Sequence, residues 1–229
     1  VLPMDEETYN GLIAGSVDSY EWLREKIRTL EITPGQLGLE PGSGGIVVTD
    51  PNTGDTLACV SYPGYDNNRL ANTMDSSYYN QLNSGTSRPF YNRATQEKTA
   101  PGSTFKMVSA TAGLEEGIIN SNTTFYCDGQ FSTVVPSPRC WVYPNGHGSL
   151  NVVHAIENSC NVFFYNVGYE LGIDSEGNYD SNLGTDRLAK YAEMFGLGEK
   201  SGLEIDEAPP EISNEYSIQS AIGQGNNNY

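Results

Sequence analysis

The stretch Gly45-Ile-Val-Val-Thr-Asp-Pro-Asn-Thr-Gly-Asp-Thr-Leu-Ala-Cys-Val-Ser-Tyr62 sets the fold class. Two runs rich in Val, Ile, Thr and Tyr, residues 45–49 and 56–62, flank Asp50-Pro-Asn-Thr-Gly-Asp55. Pro, Asn and Gly there suit a tight reversal, so the pattern predicts an antiparallel hairpin. Upstream, Ile13, Val17, Tyr20, Leu23, Ile27 and Leu30 recur at spacings of three and four. They predict one amphipathic helix, packed on the body of the domain or belonging to a linker and ended by Pro34-Gly35. Downstream, residues 63–100 are rich in Asn, Ser, Tyr and Gly without periodicity, predicting a long irregular excursion of the kind that serves a site.

Helical patterns then dominate. Phe105, Val108, Ala112 and Leu114, with Met107, predict a helix from Ser103 to Glu116 that stops at Gly117. A second is expected over Leu150 to Glu157 with Ser149 as its N-cap. After a break at Asn158-Ser159-Cys160, a third runs through Phe163, Phe164, Val167 and Leu171. Thr185 is the expected cap of a fourth, carrying Leu188, Tyr191, Ala192 and Phe195 and closed by Gly196, and Ser213 to Ile222 suggests a fifth. A hairpin followed by a helical cluster, with no regular βαβ alternation, is an α+β pattern.

With 229 residues, 12 Lys+Arg against 29 Asp+Glu, a net charge of −17 and 37% hydrophobic residues, the chain suits one large domain or a domain with a small appendage. The acidic excess repels phosphate backbones and anionic lipid, so no nucleic-acid partner is expected. The longest apolar runs, residues 45–48 and 162–165, fall far short of the ~18–20 residues that cross a bilayer, and no charged-then-apolar leader opens the chain.

Only two histidines occur, His147 and His154, and no G-x-S-x-G elbow, which argues against a serine–histidine hydrolase. Of the lysines, Lys106 alone has a serine three positions before it, in Ser103-Thr-Phe-Lys106. Pro101-Gly102 place Ser103 in the first turn of the expected helix, where unpaired N–H groups and the helix dipole favour a developing oxyanion. At i and i+3 the hydroxyl and the amine share a face, and a lysine neutralised by burial can take the serine proton. The alternative is a helix-capping serine beside a solvated surface lysine. Ser159-Cys-Asn161, at the break between two helical stretches, adds a hydroxyl and a carboxamide able to relay a proton and hold a substrate amide.

Ala100-Pro-Gly-Ser-Thr-Phe-Lys106, Ser159-Cys-Asn161, the Gly45-to-Gly54 hairpin and Tyr91-Asn-Arg-Ala-Thr-Gln-Glu97 together resemble the transpeptidase domain of penicillin-binding proteins, most closely class B enzymes of the cell-elongation type. The resemblance divides the chain into residues 1–40, the end of a non-catalytic linker, and residues 41–229, the N-terminal portion of the transpeptidase domain. It implies the serine acyl-enzyme fold shared with β-lactamases and a D,D-transpeptidase that cross-links peptidoglycan. Ser103 would attack the D-Ala-D-Ala carbonyl, with Lys106 as general base, Ser159 as proton relay and Asn161 as positioning amide. β-Lactams would acylate Ser103. It further implies stem peptides as substrates, other cell-wall synthesis proteins as partners, and a full-length protein anchored on the extracytoplasmic face of the bacterial plasma membrane. Rival readings are a β-lactamase or D,D-carboxypeptidase, and a non-catalytic penicillin sensor or assembly module. No cofactor is required for the chemistry.

The family's third box, K-[ST]-G, lies well downstream of S-x-N on a strand. Lys200-Ser-Gly202 has those letters but follows Phe195-Gly-Leu-Gly198 at a helix end, so it reads as a structural turn and the C-terminal part of the domain as missing. Residues 1–229 alone are therefore expected to be poorly active or inactive. Cys127, Cys140, His147 and Cys160 form C-x12-C-x6-H-x12-C, a donor set suited to structural zinc. Some elongation-type enzymes resemble this chain in carrying a metal at corresponding points. A Cys127–Cys140 disulfide is the rival, and zinc is favoured because His147 otherwise has no role. Cys59, within a strand, is expected in the core.

Overall fold

The computed structural model describes residues 4–29, 31 and 42–229. They fall into two compact units, one up to Gln96 and one from Glu97 to Tyr229. In the first, the single N-terminal helix expected from the apolar period is two. Helix α1 (Glu6–Ala14) is capped by Asp5 and ends at Gly15, whose φ of 70° lies in the left-handed region that glycine enters without steric cost. Asp18 then accepts the N–H groups of Tyr20 and Glu21 to start α2 (Ser19–Arg28). Local caps thus override the periodic stripe, and neither helix contains a buried residue; Ile13 is 74% exposed. Leu30, Pro34-Gly35 and the expected boundary at residue 40 lie outside the described residues.

Strands β1 (Gly44–Thr49) and β2 (Thr56–Tyr62) form the expected antiparallel hairpin, with Gly44 opposite Tyr62, Val47 opposite Cys59, and a register shift between Val48 and Thr49. The turn is closed by Asp50 N–H to Asp55 O at 2.9 Å. Cys59 is exposed rather than in the core: α4 (Arg93–Gln96) packs on this hairpin, yet neither strand holds a buried residue. The segment expected to be irregular also contains α3 (Ser76–Ser84), started by Asp75 accepting the Tyr78 N–H at 3.0 Å. A helix with no buried residue needs no apolar period, which is why the pattern did not reveal it.

The second unit holds the core. A 3-10 turn, Gly102–Phe105, runs straight into α5 (Lys106–Glu115). Strands β3 (Phe125–Cys127) and β4 (Gly148–Leu150) pair antiparallel, followed by α6 (Val152–Glu157), α7 (Asn161–Glu170), α8 (Ser181–Met194) and α9 (Ser217–Ser220). Helix α7 is central: Phe163, Phe164, Val167 and Leu171 are buried, against Val108 and Ala112 of α5, Leu188 and Ala192 of α8, and Ile218 of α9. Met107 and Leu114, assigned to the same apolar set from sequence, point outward.

Three expected helix starts shift. Ser149 lies in β4 opposite Tyr126, and the cap of α6 is Asn151, which accepts the His154 N–H at 3.1 Å. Helix α8 begins four residues before Thr185, capped by Asp180; the buried Thr185 hydroxyl bonds back to Ser181 O and Asn182 O. The fifth helix shrinks to the single turn of α9, because the Ser213 hydroxyl engages Glu215 O and Asn226 and folds the preceding residues into a turn. The architecture is α+β. Among the described residues no helix is long and apolar enough to cross a membrane.

Candidate active site

Lys106, first residue of α5, is 2% exposed, so it is not a solvated surface charge. Its Nζ donates to Ser103 Oγ at 3.1 Å, Ser159 O at 2.8 Å, Ser159 Oγ at 3.1 Å and Asn161 Oδ1 at 2.7 Å. Ser159 Oγ in turn donates to Ser103 Oγ at 2.9 Å. The four residues singled out from the two motifs therefore meet around one amine, although more than fifty positions separate the motifs. Burial pulls the Lys106 pKa down to about 8, against the opposing pull of the Cys140 and Cys160 sulfurs. The Phe164 ring, 5.6 Å from Nζ, forms part of the apolar surroundings.

The backbone explains the convergence. Helix α6 ends at Asn158, Ser159 takes φ 48°, and Cys160 becomes the N-cap of α7. A serine in the left-handed region is strained, and here it turns the hydroxyl and carbonyl of Ser159 toward Lys106. Trp141 Nε1 donates to Asn158 O at 3.2 Å, and Asn161 N–H donates to Cys140 Sγ at 3.3 Å, so the break is tied on both sides.

The turn that carries Ser103 is held from the C-terminal segment. Gly102 N–H donates to Gly223 O at 2.9 Å, Ser109 Oγ donates to Ala221 O at 2.7 Å, Thr99 and Tyr229 exchange backbone hydrogen bonds, and the Tyr229 ring stacks on Phe105. Gly223 has φ 73°, and a Cβ there would lie 2.1 Å from Gly102 O, so two backbones meet where no side chain fits. In the sequence, residues 221–225 stood out only as the end of the helix expected from Ser213 to Ile222. Their role as a clamp, like that of Trp141, left no local signal there. Lys200-Ser-Gly202 is on no strand; the Ser201 hydroxyl and N–H bond to the Glu207 carboxylate.

Beside the S-x-N break, the donor atoms of Cys127, Cys140, His147 and Cys160 lie within 4.8 Å of one another. His147 Nδ1 is 3.6 Å from Cys127 Sγ and 3.7 Å from Cys140 Sγ. A tetrahedral zinc with ~2.3 Å sulfur and ~2.0 Å nitrogen bonds requires ligand separations of roughly 3.5–3.8 Å, which both sulfur–His147 distances meet, so the donor set suits that ion. All four cysteines of the chain are free thiols. Burial opposes the Cys140 thiolate, but the N–H groups of Asn161, Val162 and Val142 outweigh it and hold the Cys140 pKa below the ordinary thiol value. Burial pushes the Cys160 thiol up to about 12.

Residues 44–228 match the family model described as the penicillin-binding protein transpeptidase domain. The chain belongs to that family. Among its curated relatives, the peptidoglycan D,D-transpeptidase MrdA of Escherichia coli is 37% identical over 163 residues, covering 71% of this chain and 24% of the relative. MrdA of Haemophilus influenzae is 35% identical over 175 residues, with 72% and 24% coverage. Among solved structures, PBP2 of Pseudomonas aeruginosa in complex with WCK 5153 aligns with a TM-score of 0.71 at 29% identity, covering 82% of this chain and 43% of that one. PBP2 of Helicobacter pylori, in its complex with MreC, aligns at 0.70 and 28%, covering 81% and 35%. This member of the penicillin-binding family thus spans about a quarter of the length of the curated relatives it matches.

Proposed function

We propose that the protein carrying this chain is a serine-type peptidoglycan D,D-transpeptidase of the elongation type. The observation that carries the reading is the buried Lys106 amine, within 3.1 Å of Ser103 Oγ and held by Ser159 and Asn161. With its pKa near 8, a usable fraction of Lys106 is neutral at physiological pH and accepts the Ser103 proton as Oγ attacks the penultimate D-Ala carbonyl. The Ser103 N–H lies in the opening 3-10 turn, where the first amides lack intrahelical partners, and serves the oxyanion. Ser159, bonded to both Lys106 and Ser103, passes a proton to the departing D-alanine amine, leaving an acyl ester on Ser103. A stem-peptide amine then attacks that ester and returns its proton along the same path. Asn161 holds Lys106 through Oδ1 and leaves its NH2 to a substrate carbonyl. β-Lactams, resembling the dipeptide, acylate the same oxygen.

The cysteine and histidine cluster holds a structural zinc ion in this reading. Cys127 at the end of β3, with Cys140 and His147, would hold the ion from one side and Cys160, between Ser159 and Asn161, from the other, so that the ion would supply a cross-link to the S-x-N break. Relatives named as cell-wall enzymes, and a PBP2 solved with MreC, support an extracytoplasmic setting and cell-wall synthesis proteins as partners.

The test is intact-mass and peptide mapping after incubation of the complete protein with penicillin. One adduct on Ser103, absent in Ser103→Ala, is expected; an adduct on any other residue refutes the assignment. Rapid release of hydrolysed penicillin points to a β-lactamase instead.

A further inference from the structure

A concavity of about 370 Å³ lies within the first unit, lined chiefly by Leu82, Asn83, Arg88, Phe90, Tyr91 and Gln96, from the last turn of α3 to the end of α4. Arg88 is the charged residue of this lining. Its φ of 47° puts a bulky side chain in the left-handed region, immediately before Pro89, where the backbone is restricted further. The surroundings enforce that conformation: the buried Arg93 guanidinium donates to Ser87 O at 3.0 Å and Arg88 O at 3.4 Å, and Tyr91 N–H donates to Arg88 O at 3.0 Å. The Arg88 guanidinium rests 4.4 Å from the Tyr91 ring centroid. Among the described residues no Asp or Glu pairs with it, although the chain has 29 carboxylates and Arg69 is paired with Asp75. A strained, oriented and unpaired cation in a chain of net charge −17 is an outlier of the kind that marks a binding site. The rest of the lining is equally specific. Phe90 is held edge-on by Tyr65 and tilted on Tyr79, at centroid distances of 4.9 and 5.6 Å, yet stays 40% exposed. Gln96 spends its Oε1 on the Asn92 N–H at 3.3 Å, which leaves its NH2 to a ligand, and the Asn83 carboxamide has no partner among the described residues.

These groups select among occupants. A guanidinium offers paired N–H donors that match a carboxylate. The last turn of α3 has carbonyls without intrahelical partners, and they call for an N–H donor on the ligand. The negative end of the same helix disfavours a doubly charged phosphate. A carboxylate, an amide group and an apolar side chain within the length of one residue make up the carboxyl terminus of a peptide. We propose that this concavity binds the free C-terminus of a protein partner that ends in an apolar residue such as leucine. Arg88 takes the carboxylate, the α3 carbonyls and the two carboxamides take the last peptide group, and Leu82 and Phe90 cover the side chain.

The experiment measures, by calorimetry on the wild-type chain, binding of acetyl-Gly-Ser-Gly-Leu as the free acid and as the C-terminal amide. The acid should bind about tenfold tighter, the scale of one bidentate charge-assisted contact. Arg88→Gln should erase that preference. Arg88→Gly should erase it too while leaving the midpoint of thermal unfolding no lower, because glycine adopts a φ of 47° without strain. Equal affinity for acid and amide, a preference that survives both substitutions, or no binding of either peptide overturns the proposal, and the wild-type comparison stands even if a variant does not fold. Two further probes test the choice of occupant. An amidated peptide with an internal glutamate that binds as tightly as the acid would assign the pocket to an acidic side chain and overturn the C-terminal reading. Acetyl-D-Ala-D-Ala binding as tightly as the leucyl acid would overturn the role of Leu82 and Phe90.

Discussion

Lys106 allows a quantitative test of the acylation chemistry. A lysine with the ordinary pKa of 10.5 is neutral in only about 3 molecules in 10,000 at pH 7, whereas one at about 8 is neutral in about one in ten, a gain of roughly 300-fold. The rate of Ser103 acylation by a chromogenic or fluorescent β-lactam should therefore rise about tenfold from pH 7 and level off above pH 9. Direct titration of the Lys106 Cε resonance in lysine-labelled protein should give a midpoint near 8. Lys106→Arg keeps the charge but cannot release its proton, and should slow acylation by about 10²–10⁴-fold. The same shift has a stability signature. The folded pKa lies below the unfolded one, so between about 8 and 10.5 the unfolded chain binds more protons and stability rises with pH; below 8 the burial penalty is fully present. Urea unfolding at pH 7.5 and pH 10 should show that slope, and Lys106→Met should abolish its share. A Lys106 midpoint near 10.5, or an acylation rate still climbing tenfold per pH unit above pH 9, refutes the neutral-lysine mechanism.

Gly223→Ala places a methyl about where Gly102 O now lies, and should cost about 1–3 kcal/mol and slow acylation by displacing the nucleophile turn, as read from thermal unfolding and labelling rates. Trp141→Phe removes the bond to Asn158 O and should cost about 1 kcal/mol in unfolding free energy while reducing acylation more than stability suggests, since it loosens the residue before Ser159. Elemental analysis of metal-replete protein should find one zinc per chain, and Cys160→Ser should lose it and lower the midpoint of thermal unfolding; full retention of fold and labelling without metal contradicts the bracing role.

The hairpin was legible because a Pro/Asn/Gly turn between β-rich runs leaves few alternatives, and α5 and α7 because their apolar periods face a real core. Errors gathered where side chains bond locally to backbone. Asp18 split one expected helix into two, Asn151 and Asp180 displaced Ser149 and Thr185 as caps, and Asp75 started a helix that buries nothing. Asn151 against Ser149 and Asp180 against Thr185 are choices between polar capping residues a few positions apart, whereas Asp18 and Asp75 start helices with no buried stripe behind them. Cys59 was misplaced for a related reason: strand composition speaks of pleated geometry and says nothing of what covers the strand.

At the site the division is sharper. The sequence by itself determined which residue types stand at fixed short separations, Ser103 with Lys106 and Ser159 with Asn161, because i to i+3 on a helix and flanking positions at a helix break are local geometry. Only the tertiary structure decided that both pairs share one amine, that Lys106 is buried deeply enough for its pKa to fall, and that Gly223 meets the turn carrying Ser103. Those properties depend on desolvation and close backbone approach between segments up to about a hundred residues apart, and neither has a signature in the order of the residues.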